Sequence, residues 1–303
     1  MTQDGKRAAQ PQAGGTLIDI QAGRRAFLRS LGLASAGVAA LGSGLVTATV
    51  PAEAAALNDV NILNFALNLE YLEAEFYLQA AFGRGLDDMD TKGTGKRGDV
   101  SGGAKVPFKS KDVKEYAQEI AKDEEDHVKF LRAGLGSAAV ARPKIDLKKS
   151  FTAAAQAAGL IGKDDTFDPF ADEDSFLLGA FIFEDVGVTA YKGAARFLEN
   201  KDFLEAAAGI LAVEAYHAGE VRTLLYGRGL FKQADAISEL RASVGGGKDQ
   251  GIRRNGKANI VPTDSNGIAF GRTPEEVLAI VYLGGKTDGG FYPNGLNGKI
   301  TKA

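Results

Sequence analysis

The chain has 303 residues, of which 45% are hydrophobic and 25% charged, with a formal net charge of −3 and no cysteine. That composition belongs to a globular protein with a real core, and it excludes disulfide scaffolds, iron–sulfur clusters and cysteine-ligated structural zinc. No basic block offers a surface for phosphate backbones, so no nucleic acid is expected as a partner.

The first element is a leader. Arg24-Arg25-Ala26-Phe27-Leu28-Arg29 precedes an apolar run from Leu31 to Val50, and Pro51-Ala52-Glu53-Ala54 follows with an A-x-A cleavage pattern. Residues 1–54 resemble a twin-arginine export signal. The run is long enough for a membrane anchor, but Gly32, Gly37, Gly42 and Gly44 make it weakly hydrophobic. Cleavage is therefore expected, with no stable membrane span afterwards and a periplasmic or extracellular destination. That route carries folded proteins, which would let a metal be loaded in the cytoplasm before export. Without residues 1–54 the chain loses five basic and three acidic residues, and its charge falls from −3 to −5. What remains suffices for one bundle and an appendage.

Residues 57–230 read as four long helical segments. In the first, Leu63, Ala66, Leu67, Glu70, Ala74 and Tyr77 recur at helical spacing, with Glu73 and Glu75 crowding the same turn. A loop rich in Gly, Lys and Asp, Gly83 to Lys111, leads to the second. There Val113, Tyr116, Ile120, Glu124, His127 and Leu131 share a stripe. A long connection, Gly134 to Asp174, contains Arg142-Pro143, an Ala-rich patch after Phe151 that reads as a short helix, and Asp168-Pro169. The third segment, Phe176 to Phe183, is apolar on nearly every side until Glu184 interrupts it. The fourth aligns Phe203, Ala207, Ile210, Glu214, His217, Val221 and Leu224.

The chain has only two histidines, and each follows a glutamate by three residues: Glu124-Glu125-Asp126-His127 and Glu214-Ala215-Tyr216-His217. On a helix that spacing puts both side chains on one face, within reach of one metal ion. Each pair interrupts an apolar stripe, where an unpaired carboxylate is costly and a cation relieves the cost. An internal repeat extends the set. Glu70 precedes Tyr77 by seven residues and Glu184 precedes Tyr191 by seven, and each such segment then precedes one E-x-x-H segment. The repeat favours Glu70 over Glu73 as the donor of the first segment, with Glu73 the alternative. A Glu from each of two helices plus E-x-x-H from each of two others is the arrangement known in ferritin-like di-metal bundles. The candidate metal ligands are thus Glu70, Glu124, His127, Glu184, Glu214 and His217.

The resemblance narrows further on three runs: Asn68-Leu69-Glu70-Tyr71-Leu72-Glu73-Ala74-Glu75-Phe76-Tyr77, Phe183-Glu184-Asp185-Val186-Gly187-Val188-Thr189-Ala190-Tyr191 and Gly289-Gly290-Phe291-Tyr292-Pro293-Asn294-Gly295. These resemble the desiccation-related branch of ferritin-like proteins. The resemblance implies an all-α fold: a ferritin-like four-helix bundle with a long crossover and a loop-rich C-terminal extension. It also implies that Glu124 and Glu214 bridge two ions, that Glu70 and Glu184 each cap one, and that His127 and His217 each bind one. Asp123 resembles a residue that orients a ligating histidine, with Asp185 a second candidate. Taken singly, Asp123, Glu125 and Asp126 fit a solvated acidic face equally well. Tyr77 and Tyr191 fit either a hydrogen bond to a ligand carboxylate or plain core packing, and the ligand set omits them.

Four glutamates and two divalent ions form a nearly neutral cluster, and imidazole with carboxylate suits Fe or Mn. Two redox-active ions with open positions suit dioxygen or hydrogen peroxide. The side chains do not choose among ferroxidase, peroxidase and catalase, so an oxidoreductase stands beside two other readings: metal binding without catalysis, and a structural stress-protection protein.

Residues 231–303 read as an extension with one short helix on the bundle. Asp235 to Ala242 continue a helical pattern before Gly245-Gly246-Gly247. Thr273-Pro274-Glu275-Glu276 then gives an N-cap, a first-turn proline and a capping box ahead of Val277 to Tyr282. This tail has three possible places: over an end of the bundle, against another subunit, or around an external ligand. A homo-oligomer stays open, whereas the inserted loop and the tail crowd against a spherical cage.

Overall fold

The computed structural model describes residues 57–303, and the export signal read over 1–54 lies outside the described residues. Four helices form the bundle: α1 (Asp59–Phe82), α2 (Lys111–Leu135), α4 (Glu173–Ala195) and α5 (Lys201–Gly227). A short α3 (Lys149–Ala157) lies in the crossover, where the Ala-rich patch predicts it.

Local signals set the helix ends. Asn58 caps α1 by accepting from the Asn61 N–H, and Gly83, at φ 73°, ends it in the left-handed conformation that glycine adopts without strain. Asp172 and Asn200 cap α4 and α5 in the same way as Asn58. Helices α1 and α4 are buried along most of their length, whereas α2 and α5 each keep one face in water.

Polar contacts at the bundle ends fix the topology. The Asp59 carboxylate at the start of α1 accepts from the N–H groups of Glu199 and Asn200, in the α4–α5 turn, at 2.9 and 3.0 Å. Asn64 bonds to Ala138 O and the Val140 N–H, just past the end of α2. At the opposite end, Glu173 in the first turn of α4 accepts from Ser110 Oγ, which precedes α2, and from Arg228, which follows α5. Helices α2 and α4 therefore start at the same end and run parallel, as the long crossover requires. The inserted loop is pinned to that crossover by a two-stranded parallel pair, β1 (Val100–Gly102) with β2 (Ile145–Leu147).

The extension differs from its sequence reading in one respect: it holds two helices, α6 (Phe231–Val244) and α7 (Pro274–Val281). The helical pattern at 235–242 belongs to α6, a full element, because Ala234, Ile237 and Arg241 bury one face of it. A small antiparallel pair, β3 (Arg253–Arg254) with β4 (Lys257–Ala258), follows. The capping box of α7 forms as read, between Thr273 and Glu276.

Of the three places open to the tail, the structure shows it packed on the bundle. Phe291 is fully buried, with its ring 5.0 Å from Phe151 and 4.9 Å from Phe183. The Tyr292 hydroxyl donates to Asn68 O at 2.7 Å, on the helix that carries Glu70. A buried ion cluster supplies the second attachment. Asp185 of α4 pairs with Arg222 of α5 and Arg241 of α6, both at 2.7 Å; Asp249 pairs with Arg241 at 2.8 Å and with Arg272 at 2.7 Å. Removing one partner of such a cluster strands a buried charge. Arg241→Ala is accordingly expected to destabilise the chain by about 3–5 kcal/mol, read as a lowered urea midpoint.

Candidate metal centre

Helix geometry brings the six predicted donors to one place. Glu70 lies mid-α1, Glu124 and His127 one turn apart on α2, Glu184 mid-α4, and Glu214 and His217 one turn apart on α5. All six are buried, with Glu70, Glu124 and Glu214 at 0% exposure. The imidazole rings face each other with centroids 6.5 Å apart.

The donors form two groups that share one residue, Glu124, whereas Glu214, which the resemblance also makes a bridge, lies in the first group alone. Glu70, Glu124, His127 and Glu214 each bring one donor atom within 4.8 Å of the others, and so do Glu124, Glu184 and His217. Glu124 stands between them: its Oε2 lies 3.4 Å from His127 Nδ1, and its Oε1 lies 3.1 Å from His217 Nδ1. His127 Nδ1 is also 3.2 Å from Glu70 Oε2 and 3.9 Å from Glu214 Oε1, while His217 Nδ1 is 3.7 Å from Glu184 Oε2. Glu73, the alternative to Glu70, is buried but belongs to neither group. Glu75 pairs with Arg142, which accounts for the third acid of that turn.

Both carboxylate oxygens of Glu124 and of Glu214, Oε2 of Glu184 and Nδ1 of His217 are buried without a hydrogen-bond partner among the described residues. His217 Nδ1 is close to Glu124 but not aligned for a hydrogen bond. Leaving so many polar atoms bare in a core costs several kcal/mol, and a cation coordinated by them removes that cost. The donor set therefore fits metal.

Without metal, protons carry the balance. Burial, with the Glu124 charge adding to it, pushes Glu70 up to about 7 against the opposing pull of His127. Burial likewise pushes Glu184 up to about 8, and holds Glu73 and Glu214 well above the usual carboxylate range. Burial alone would lower the histidines, but Glu70 and Glu124 hold His127 up at about 11. The hydrogen bond to Asp123, with Glu124 and Glu184, holds His217 at about 10. Glu124 moves the other way, because the two imidazolium charges outweigh its burial.

Asp123 takes the orienting place that its resemblance implies, with Oδ2 3.1 Å from His217 Nε2. Asp185 does not, since Arg222 and Arg241 claim its carboxylate. Asp126 pairs with Lys122 in solvent, whereas Glu125 is buried beneath Arg84 and Lys129, which pair with it. Asp123→Ala is expected to weaken metal binding about 10–100-fold with the fold intact, since its side chain is 40% exposed; a Mn²⁺ titration at wild-type strength would contradict the role.

Two residues left out of the ligand set do face it. The Tyr77 hydroxyl donates to Glu184 Oε1, and the Tyr191 hydroxyl donates to Glu70 Oε1. The pairing is crossed: Tyr77, seven residues after Glu70, holds Glu184, and Tyr191, seven residues after Glu184, holds Glu70. The Glu-to-Tyr repeat carried the signal, but stripe periodicity alone could not separate a donor from a core aromatic.

The ferritin-like domain family matches residues 58–227, the stretch that carries all six donors. The chain is 35% identical to a desiccation-related protein of Craterostigma plantagineum, over 73% of this chain and 76% of that protein. It is 31% identical to a ferritin-like catalase of Nesocodon mauritianus, over 80% of this chain and 85% of that protein. No solved structure gives a significant match. With the fold, the donor arrangement and these relatives in agreement, the chain belongs to the ferritin-like family, in its desiccation-related branch.

Proposed function

We propose that this is an exported di-metal carboxylate protein, holding two Fe or Mn ions and acting on hydrogen peroxide or dioxygen in stress protection. The observation that carries the reading is the pair of donor groups joined by Glu124, whose two oxygens face opposite histidines and have no other partner. One ion in each group would give each an imidazole and a share of Glu124. Glu70, Glu124, His127, Glu184, Glu214 and His217 are the proposed ligands. Export is supported by the Arg24-Arg25 leader alone.

When bound, two redox-active ions supply one electron each, so that an O–O bond can gain two electrons without releasing a radical. The chain's own residues do the positioning. Asp123 fixes the ring of His217, while Tyr77 and Tyr191 hold the carboxylates of Glu184 and Glu70. Tyr77 is itself held by packing: its ring meets Phe176 edge-on at 5.8 Å, and Phe176 stacks on Phe76.

The relative named as a catalase supports the peroxide reading. The relative named as desiccation-related supports the second one, a metal-binding or structural protein that protects without turnover. Metal analysis of the exported protein, followed by a peroxide assay on the same sample, separates them. Two ions per chain with oxygen evolution or peroxide loss is the expected result. Bound metal without turnover favours the second reading, and protein without metal overturns the first.

A further inference from the structure

Helix α4 contains three glycines besides its apolar residues, at 179, 187 and 193. Glycine inside a helix is unfavourable next to alanine, so each needs a reason. A Cβ at Gly179 would press on Pro169, Phe76 and Phe151 at 3.0–3.3 Å, and one at Gly193 would stand 1.8 Å from the backbone oxygen of Arg272. Those two glycines serve packing.

Gly187 is different. It follows Glu184 by three residues and so points the same way, into the donors. A Cβ there would stand 2.1 Å from Glu214 Oε2 and 2.9 Å from Glu214 Cδ, with Glu73 Oε1 at 3.4 Å. The atoms in the way are the tip of one flexible side chain, not backbone. Both oxygens of that tip are buried without partners among the described residues.

We propose that Gly187 is a positioning residue of the metal centre: its missing side chain is the space in which the Glu214 carboxylate stands. This rests on the metal reading above. An alanine at this position displaces Glu214 from the four-donor group and leaves Glu70, Glu124 and His127 in place. The fold tolerates the change because a side chain swings aside more easily than a backbone moves.

Two measurements test it. Titration of Mn²⁺ into the metal-free full chain should show Gly187→Ala binding at least about tenfold more weakly than wild type, the order expected when the support of a ligand is lost. Equal affinity overturns the proposal. The second is a thermal-unfolding cycle on the metal-free chain, combining Gly187→Ala with Glu214→Ala. Once the Glu214 carboxylate is gone, Gly187→Ala should raise Tm, as helix propensity demands, by more than it does in the wild-type background. Additive shifts overturn the contact. If Gly187→Ala alone fails to fold, recovery in the double variant supports the proposal and failure of both overturns it. A wild type that takes up no ion refutes the metal function, while the thermal cycle still reads the Gly187–Glu214 contact.

Discussion

Glu124→Ala is expected to remove metal from both donor groups at once and to reduce peroxide turnover to background. No other donor occupies both groups, so no other single substitution should do this. Losing an orienting partner already costs about 10–100-fold in affinity, and losing a shared ligand costs more. The effect on the metal-free chain is separate. Glu124 is the counter-charge facing both imidazoles, and without it His127 and His217 lose much of what holds their protons. Metal content by elemental analysis, with unfolding of the metal-free variant as a control for the fold, checks both parts. Replacing Glu70 should instead weaken one group and spare the other. If Glu124→Ala keeps one tightly bound ion, the sharing of Glu124 is wrong.

The metal-free protein should lose stability as pH rises, and metal should remove that dependence. Glu70 and Glu184 have folded values of about 7 and about 8 against an ordinary 4.5, so between those limits the folded chain holds protons that the unfolded chain has released. His127 and His217, at about 11 and about 10 against 6.5, do the same at higher pH. In both cases the folded state binds more protons, and stability falls as pH rises through the window. Glu124 has the opposite sign: its stabilisation is fully present above its ordinary 4.5 and is lost as pH falls below that value. The metal-free chain should therefore be most stable near pH 5, with its Tm falling steadily toward pH 9. Cations replace the protons, so metal affinity rises over the same range. Thermal scans of stripped and loaded protein across pH check the sign. A stripped protein whose Tm climbs from pH 5 to pH 9 would contradict it.

The parts of the site that follow helix periodicity were legible in the sequence. E-x-x-H puts two side chains on one face whatever the tertiary fold, and the Glu-to-Tyr repeat marked the matching helices. Glu184 stood out because nothing else in its segment is charged before it. The parts set by contacts between distant segments were not legible. Tyr77 lies 107 residues from Glu184, and Tyr191 lies 121 from Glu70, so only the fold shows which carboxylate each phenol holds. The same holds for Asp185. Its neighbour Glu184 points to the donors, while one residue on, its own side chain turns to arginines of α5 and α6. In the extension, the weak pattern at 235–242 left α6 undervalued, because its burial depends on Arg241 meeting acids from elsewhere. Gly187 was visible only as a member of a family-like run. Its reason appears once Glu214 from the next helix is seen to fill the space beside it.

The central claim, that two cations share Glu124, is tested most directly by anomalous diffraction at the Fe and Mn edges from crystals of the metal-loaded protein. Two peaks about 3.5–4 Å apart, one on the His127 side of Glu124 and one on the His217 side, are predicted. A single peak, or metal bound away from both imidazoles, would contradict the account.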